Sequence, residues 1–319
     1  MRSGRVLNYS VDAMEFQERL YQGIADQAGM LELARRYPAQ HLRVLDLPYR
    51  LSSWGLDDPQ NARLWFDDQG DLAAWVVMQS PFWQVDITCR PELEKQLFPR
   101  LLEWADQRAM ELTGTCHYRE AWFITVFSGQ FERIRELERR GYADQSDVGE
   151  DSWSKVLLRR DSGDPPRVYS PPPGYRARPL RGADEVKAYV ELHRAVFGSR
   201  NMTQAWRART LEHTDYDPEL DIVVETPDGQ LGAFCIGWLR DGVGQIEPLG
   251  CRADLRRFAL GRVALSEVLQ RLVDRGAAQI YVETDNYRNT AFGLYEFFGF
   301  KVIEQVLIFR KDYPNSPEP

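Results

Sequence analysis

Residues 251–265, CRADLRRFALGRVAL, set Arg256, Arg257 and Arg262 around Gly261, directly after the strand-like run VGQIEPL. Where a strand turns into a helix, the first amide N–H groups of the helix lack intrahelical partners and its dipole adds positive potential. Such a turn suits a phosphate: the arginines supply charge and the glycine lets an anion approach the backbone. A solvated basic helix start is the other reading of the same residues. Glu247 lies in the strand before the turn, and the alternation Glu247, Leu249, Cys251 predicts that these side chains share one strand face. A carboxylate there can take a proton, directly or through water, or hold a salt bridge inside the sheet.

The surrounding elements must position these groups. GYRARPL predicts a short opening strand, and ADEVKAYVELHRAVF spaces Val186, Tyr189, Val190, His193 and Phe197 as one helix face. LDIVVET and LGAFCIGWL flank Asp228-Gly229, a hairpin signal. A helix is expected to begin near Phe258, with Leu265, Leu269, Leu272 and Val273 on its apolar face. AAQIYVET returns as a strand, NTAFGLYEFFG is a helix closed by Gly299, and FKVIEQVLIFRKDY supplies further strand. The pattern is that of an α+β domain, a mixed sheet with helices packed on it.

This domain has a partner upstream. CRPELEK at 89–95 matches CRADLRR at 251–257, the turn at Gly70 answers the turn at Gly229, and LERRGY at 137–142 answers YEFFGF at 295–300. Three pairs in one order at nearly constant offset predict a tandem duplication. A proline-rich stretch, DPPRVYSPPPGY, resists both helix and central strand and marks the seam. The expected division is residues 1–160, a linker at 161–172, and residues 173–319.

Composition narrows the function. The formal net charge of −8, with acids and arginines interleaved, offers no basic footprint for nucleic acid. The strongest apolar run, LAAWVVM, is too short to cross a bilayer and the first ten residues lack a secretory apolar core, so a cytoplasmic protein without a membrane partner is expected. Four cysteines and four histidines are scattered, so neither a disulfide framework nor a metal site is expected.

The order strand, RRFALG, helix, YVETDNYRN and LYEFFGF resembles the acyl-coenzyme A binding core of the GNAT superfamily of N-acetyltransferases, and the tandem layout is similar to that of the mycothiol-synthase-like group. The resemblance implies a tandem acyl-CoA N-acyltransferase fold, with helices on both faces of a mixed sheet. It implies acetyl-CoA as co-substrate, held by the pyrophosphate loop Arg256, Arg257, Phe258, Ala259, Leu260, Gly261 and Arg262. Ala259 stands where the family has its first glycine; at a helical position its methyl group leaves the amide donor in place. Asn286 and Asn289 both flank the place where the family has its asparagine, and either can orient the coenzyme. Backbone amides of Leu249 and Cys251 become donors to the thioester carbonyl. Tyr295 matches the tyrosine that protonates the departing thiolate, with packing between helix and sheet as its alternative role, and Glu247 is the candidate base.

The upstream copy is an internal control. Glu94 replaces Arg256, Leu97 replaces Ala259, Pro99 replaces Gly261 and Leu137 replaces Tyr295. A carboxylate repels a pyrophosphate and proline donates no amide, so this copy is expected to be non-catalytic and to support or wall the active one. The expected activity is N-acyl transfer to a primary amine of a small molecule or a peptide N-terminus, by a monomer or homodimer. A non-catalytic acyl-CoA sensor is the alternative. Met202, Trp206 and Tyr216 either wall an acceptor pocket or pack a helix face.

Overall fold

The computed structural model describes residues 15–40, 44–146, 154–285 and 289–314. In chain order the first half runs β1 (Gln17–Leu20), α1 (Ile24–Arg36), α2 (Leu47–Leu51), β2 (Ala62–Phe66), β3 (Leu72–Gln79), β4 (Gln84–Cys89), α3 (Glu94–Glu111), β5 (Ala121–Phe127), α4 (Phe131–Arg139), β6 (Ala143–Asp144) and β7 (Lys155–Asp161). The second half repeats the sequence of elements: β8 (Arg176–Pro179), α5 (Val186–Phe197), α6 (Gln204–Glu212), β9 (Asp221–Glu225), β10 (Leu231–Arg240), β11 (Val243–Cys251), α7 (Leu260–Asp274), β12 (Gln279–Asp285), α8 (Asn289–Phe297) and β13 (Lys301–Asp312).

All these strands join one mixed sheet in the order β1-β2-β3-β4-β5-β13-β7-β12-β11-β10-β9-β8, with β6 on the flank of β13. The centre of that order is an exchange. β7 precedes the proline-rich segment yet pairs with β12 from Gln279↔Asp161 to Asp285↔Lys155. β13, the last strand, pairs with β5 of the first half from Val306↔Phe127 to Asp312↔Ala121. β7 and β13 also pair with each other, antiparallel, so each half lends a strand to the other.

Helices cover both faces, as the fold reading expected. α3 and α7 lie over one core each, the latter through Leu260, Val263, Leu265, Val268, Leu269 and Leu272, all buried. At about 1.5–3 kcal/mol for each fully buried aliphatic side chain, this face alone anchors the helix. Glycine permits the contact: a Cβ on Gly237 of β10 would come within 2.6 Å of Val268 Cγ1. On the opposite face α1 and α2 cover one half, and α5 and α6 the other. Tyr49 of α2 crosses over to join the α5–α6 core, with its ring 5.1 Å from that of Trp206. The stretch 162–175 has neither helix nor strand and lies along α7 and α8, where the Tyr169 amide donates to Ser266 Oγ at 3.1 Å.

Candidate active site

A wedge opens between β11 and β12. The two strands run parallel and pair only from Val243↔Gln279 to Gln245↔Tyr281, while β11 continues to Cys251 and β12 to Asp285. Among the described residues the β12-facing edge of β11 beyond Gln245 thus has no ladder partner, and an extended ligand arm can pair there. A register shift between the Gly237↔Ile246 and Cys235↔Leu249 pairs bends β11 at this point. It also interrupts the alternation expected across Glu247, Leu249 and Cys251. Ile246 and Leu249, three apart, both face the α7 core, and Cys251 packs there with Leu249. The extra residue accommodated by the shift takes Glu247 out of that series.

The turn after β11 differs from the simple helix start expected near Phe258. Residues Ala253–Phe258 wind as a 3₁₀ helix, Ala259 adopts the left-handed region at φ 57°, and α7 begins at Leu260. The Ala259 amide donates to the Arg256 carbonyl at 3.1 Å, and Arg262 and Val263 donate back to the Ala259 carbonyl at 3.0 and 3.2 Å. As the first two residues of the helix, Leu260 and Gly261 carry amides that have no intrahelical acceptor. The Gly261 N–H sits against the Cys251 sulfur; burial raises the Cys251 thiol pKa and that N–H opposes the rise. Arg256 and Arg257 are exposed beside this turn and, among the described residues, neither is ion-paired, whereas Arg252 is clamped to Asp254 at 2.7 Å.

The remaining loop residues divide by environment. The Leu260 side chain is fully buried in the α7 core and can offer only its backbone. Phe258 packs its ring 5.3 Å from Tyr175, with the Arg257 guanidinium 4.9 Å above it. Arg262 stands apart from the other two arginines: its guanidinium lies over Phe297 at 4.6 Å and Tyr169 at 5.5 Å, joining α7 to α8 and the proline-rich stretch. Asn286 lies outside the described residues. Asn289 opens α8, and its side chain is likewise outside the description.

Tyr295 is brought in by α8 and is buried, its ring edge-on to Phe300 at 5.7 Å. Burial lifts its phenol pKa well above the usual range, and the negative charge of Glu247 pushes the same way. The hydroxyl therefore keeps its proton at neutral pH, as a proton donor must. Glu247 is half-buried on β11. Its charge also reaches Tyr49 of α2, Tyr189 of α5 and Cys235 of β10. The two candidate catalytic groups thus share one neighbourhood at the bend of β11.

Sequence reasoning missed the layer beneath. Tyr49, from the first half, bonds His193 Nε2 through its hydroxyl at 3.1 Å and accepts the Trp206 indole N–H at its carbonyl, 2.7 Å away. Met202 and Trp206 are fully buried in this layer and serve packing, and the half-buried Tyr216 donates to Asp221 at 2.7 Å. Among the described residues no cluster of His, Cys, Asp and Glu is placed to hold a metal, and no helix is long and apolar enough to cross a membrane.

The first half has lost the corresponding turn. α3 already begins at Glu94 and runs through Leu97 and Pro99, so the amides exposed at Leu260 and Gly261 have helical or absent counterparts. Glu94 receives the Arg133 guanidinium at 2.5 Å, an internal ion pair at the place where Arg256, among the described residues, has none. Leu137 is fully buried where Tyr295 stands.

Comparison with known proteins agrees with this geometry. Residues 186–300 match the acetyltransferase (GNAT) family. A stretch of 134 residues is 36% identical to the mycothiol acetyltransferase of Kineococcus radiotolerans, covering 40% of this chain and 43% of that protein, so the likeness spans less than half of the relative's length. Two solved structures share the fold along nearly the whole chain. A GCN5-related N-acetyltransferase from Sphaerobacter thermophilus has a TM-score of 0.62 at 20% identity, covering 93% of this chain and 95% of that one. A tandem GNAT protein from the clavulanic acid biosynthesis pathway has a TM-score of 0.63 at 14% identity, covering 96% and 100%. Residues 186–300 are therefore similar to the GNAT acetyltransferase family, within a fold shared along nearly the full length of the chain with a tandem GNAT structure.

Proposed function

We propose that the protein is an acyl-CoA-dependent N-acyltransferase that uses acetyl-CoA and works from its second half. The observation that carries this reading is the convergence of three features: the edge of β11 that has no ladder partner among the described residues, the α7 turn at Leu260 and Gly261 beside Arg256 and Arg257, and the joint placement of Tyr295 and Glu247. The acyl arm pairs with β11, and its carbonyl receives backbone N–H groups from the Leu249–Cys251 stretch. The pyrophosphate rests on the α7 turn, neutralised by Arg256 and Arg257. Glu247 accepts a proton from the incoming ammonium, the neutral nitrogen attacks the thioester carbon, and the carbon–sulfur bond breaks as Tyr295 protonates the leaving sulfur.

Residues 1–160 form the non-catalytic copy, 161–172 the linker and 173–319 the catalytic copy, with one strand exchanged between them. The acceptor is a primary amine on a small molecule or a peptide N-terminus, and the name of the Kineococcus relative, a mycothiol acetyltransferase, supports including the mycothiol precursor among the candidates. A thiol-release assay with acetyl-CoA against amines, amino sugars and peptide N-termini, run with wild type and Glu247→Gln, tests the proposal. Acceleration by one class, lost in the glutamine variant, is the expected result. Coenzyme binding without acceleration by any class would make the protein an acyl-CoA sensor.

A further inference from the structure

The proline-rich stretch is fastened to the helices that frame the α7 turn. At one end the Tyr169 amide donates to Ser266 Oγ of α7 at 3.1 Å, and the Tyr169 ring stands edge-on to Phe298, just past α8, at 6.0 Å. At the other end the Tyr175 ring lies 5.3 Å from that of Phe258, in the 3₁₀ helix before α7.

Tyr169 gathers two guanidinium groups. Arg167 of the same stretch lies 5.0 Å over its ring, and Arg262 of α7 lies 5.5 Å over it. Arg262 also lies 4.6 Å over Phe297 of α8, whose ring is 5.9 Å from that of Tyr169 and 54% exposed. Among the described residues neither arginine enters an ion pair, and the buried Arg262 Nε has no acceptor. Two like charges held over one neutral ring repel each other, and an anion within reach of both relieves that repulsion. Positive charge thus adjoins an exposed aromatic face, one residue along the chain from Gly261.

The first half has no aromatic ring at the corresponding place on α4. Counting from Leu137, the counterpart of Tyr295, Phe297 corresponds to Arg139, which is ion-paired to Glu136 at 2.6 Å.

We propose that Arg167, Tyr169, Arg262 and Phe297 form the seat of the coenzyme's 3′-phosphoadenosine, so that the proline-rich stretch selects coenzyme A over acyl donors that end at the phosphopantetheine arm. The inference rests on the reading of the α7 turn as the pyrophosphate site. From that turn the adenosine is the next group outward, and Arg262 is the next side chain. The exposed face of Phe297 stacks the adenine, a contact that any flat base makes with an aromatic ring. Arg167 and Arg262 hold the 3′-phosphate through charge-assisted hydrogen bonds from their planar guanidinium groups. Phe297 and Tyr169 thus keep Arg262 from the pyrophosphate and turn it to the remaining phosphate of the coenzyme.

The test is calorimetric titration of the full-length protein with coenzyme A, 3′-dephospho-coenzyme A and 4′-phosphopantetheine. Coenzyme A should bind about 10- to 100-fold more tightly than its 3′-dephospho form, the range of a hydrogen bond to a charged group. Arg167→Gln combined with Arg262→Gln should abolish that preference. Phe297→Leu should weaken both adenosine-bearing ligands about tenfold and leave 4′-phosphopantetheine unchanged. Equal binding of coenzyme A and its 3′-dephospho form by wild type, or a preference that survives in the double variant, overturns the inference. If the double variant does not fold, Arg167→Gln alone, at an exposed side chain, carries the test, and an unchanged preference there has the same force. A site still weakened by Arg256→Ala would then leave the acyl-CoA reading standing, whereas no binding of any of the three ligands would overturn both.

Discussion

Replacing Ala259 by glycine should stabilise the protein, an unusual outcome for alanine beside a helix. Ala259 has φ 57° and ψ 28° and caps α7 from the left-handed region. A non-glycine residue there costs about 1–2 kcal/mol. Glycine escapes that cost but loses about 0.5–1 kcal/mol more backbone freedom on folding. The balance is a gain of about 0.7 kcal/mol, a rise in Tm of about 1 °C in a chain of this size. If Ala259 were an ordinary helical residue, the same change would cost about 0.8–1 kcal/mol. The sign therefore separates the two conformations. Urea and thermal melts of Ala259→Gly, with Leu97→Gly inside α3 as the opposite control, measure it. A destabilised Ala259→Gly would refute the left-handed cap and with it the account of why the Leu260 and Gly261 amides lack intrahelical acceptors. Glycine at 259 also clears a Cβ from the exposed side of the turn, so acetyl-CoA affinity should hold or improve.

Calorimetric titration should find one acetyl-CoA site per chain, and Arg256→Ala should weaken it about 10- to 100-fold, the worth of one charge-assisted hydrogen bond of about 1.5–3 kcal/mol; two equivalent sites would contradict the degenerate turn of α3. Tyr295→Phe keeps the ring that packs on Phe300 and should slow turnover by about 10²–10⁴ with little change in coenzyme affinity, measured by stopped-flow thiol release and titration. His193 has its folded pKa depressed to about 3 by burial, with Arg207 and Arg194 adding to the effect. The unfolded chain binds a proton below about pH 6.5 that the folded protein refuses, so this stability is complete above that pH and falls as pH drops toward 3, by on the order of 2 kcal/mol at pH 5. In His193→Gln the difference between urea midpoints at pH 7 and pH 5 should shrink accordingly.

Much of the candidate site was legible because local chemistry announces it. The hairpin at Asp228-Gly229, the arginines around Gly261 and the contrast of Tyr295 with Leu137 are patterns within a few residues of one another, and two diverged copies make each a comparison. Ala259 was misjudged as helical because its neighbours are good helix formers; the conformation is set by the 3₁₀ turns before it. Arg262 looked like a third pyrophosphate ligand because sequence spacing says nothing of the aromatic faces that capture it. The pairing of β7 with β12 and of β13 with β5 joins residues more than a hundred positions apart, and no local pattern encodes which partner such a strand finds.

The exchange of β7 and β13 also bears on how the molecule comes apart. In most two-domain chains a linker is the weak point, and one lobe can open, swing or melt while the other stands. Here the wall of the wedge opposite β11 is β12, and the strand that backs β12 is β7, made about 120 residues earlier in the chain. Melting the first half would therefore strip the ladder from β12, the strand that walls the wedge beside β11. The first half thus guards the second against local opening, and a mutation deep in the core around Trp122 should loosen the wedge a whole domain away, with the chain melting in a single cooperative transition rather than two.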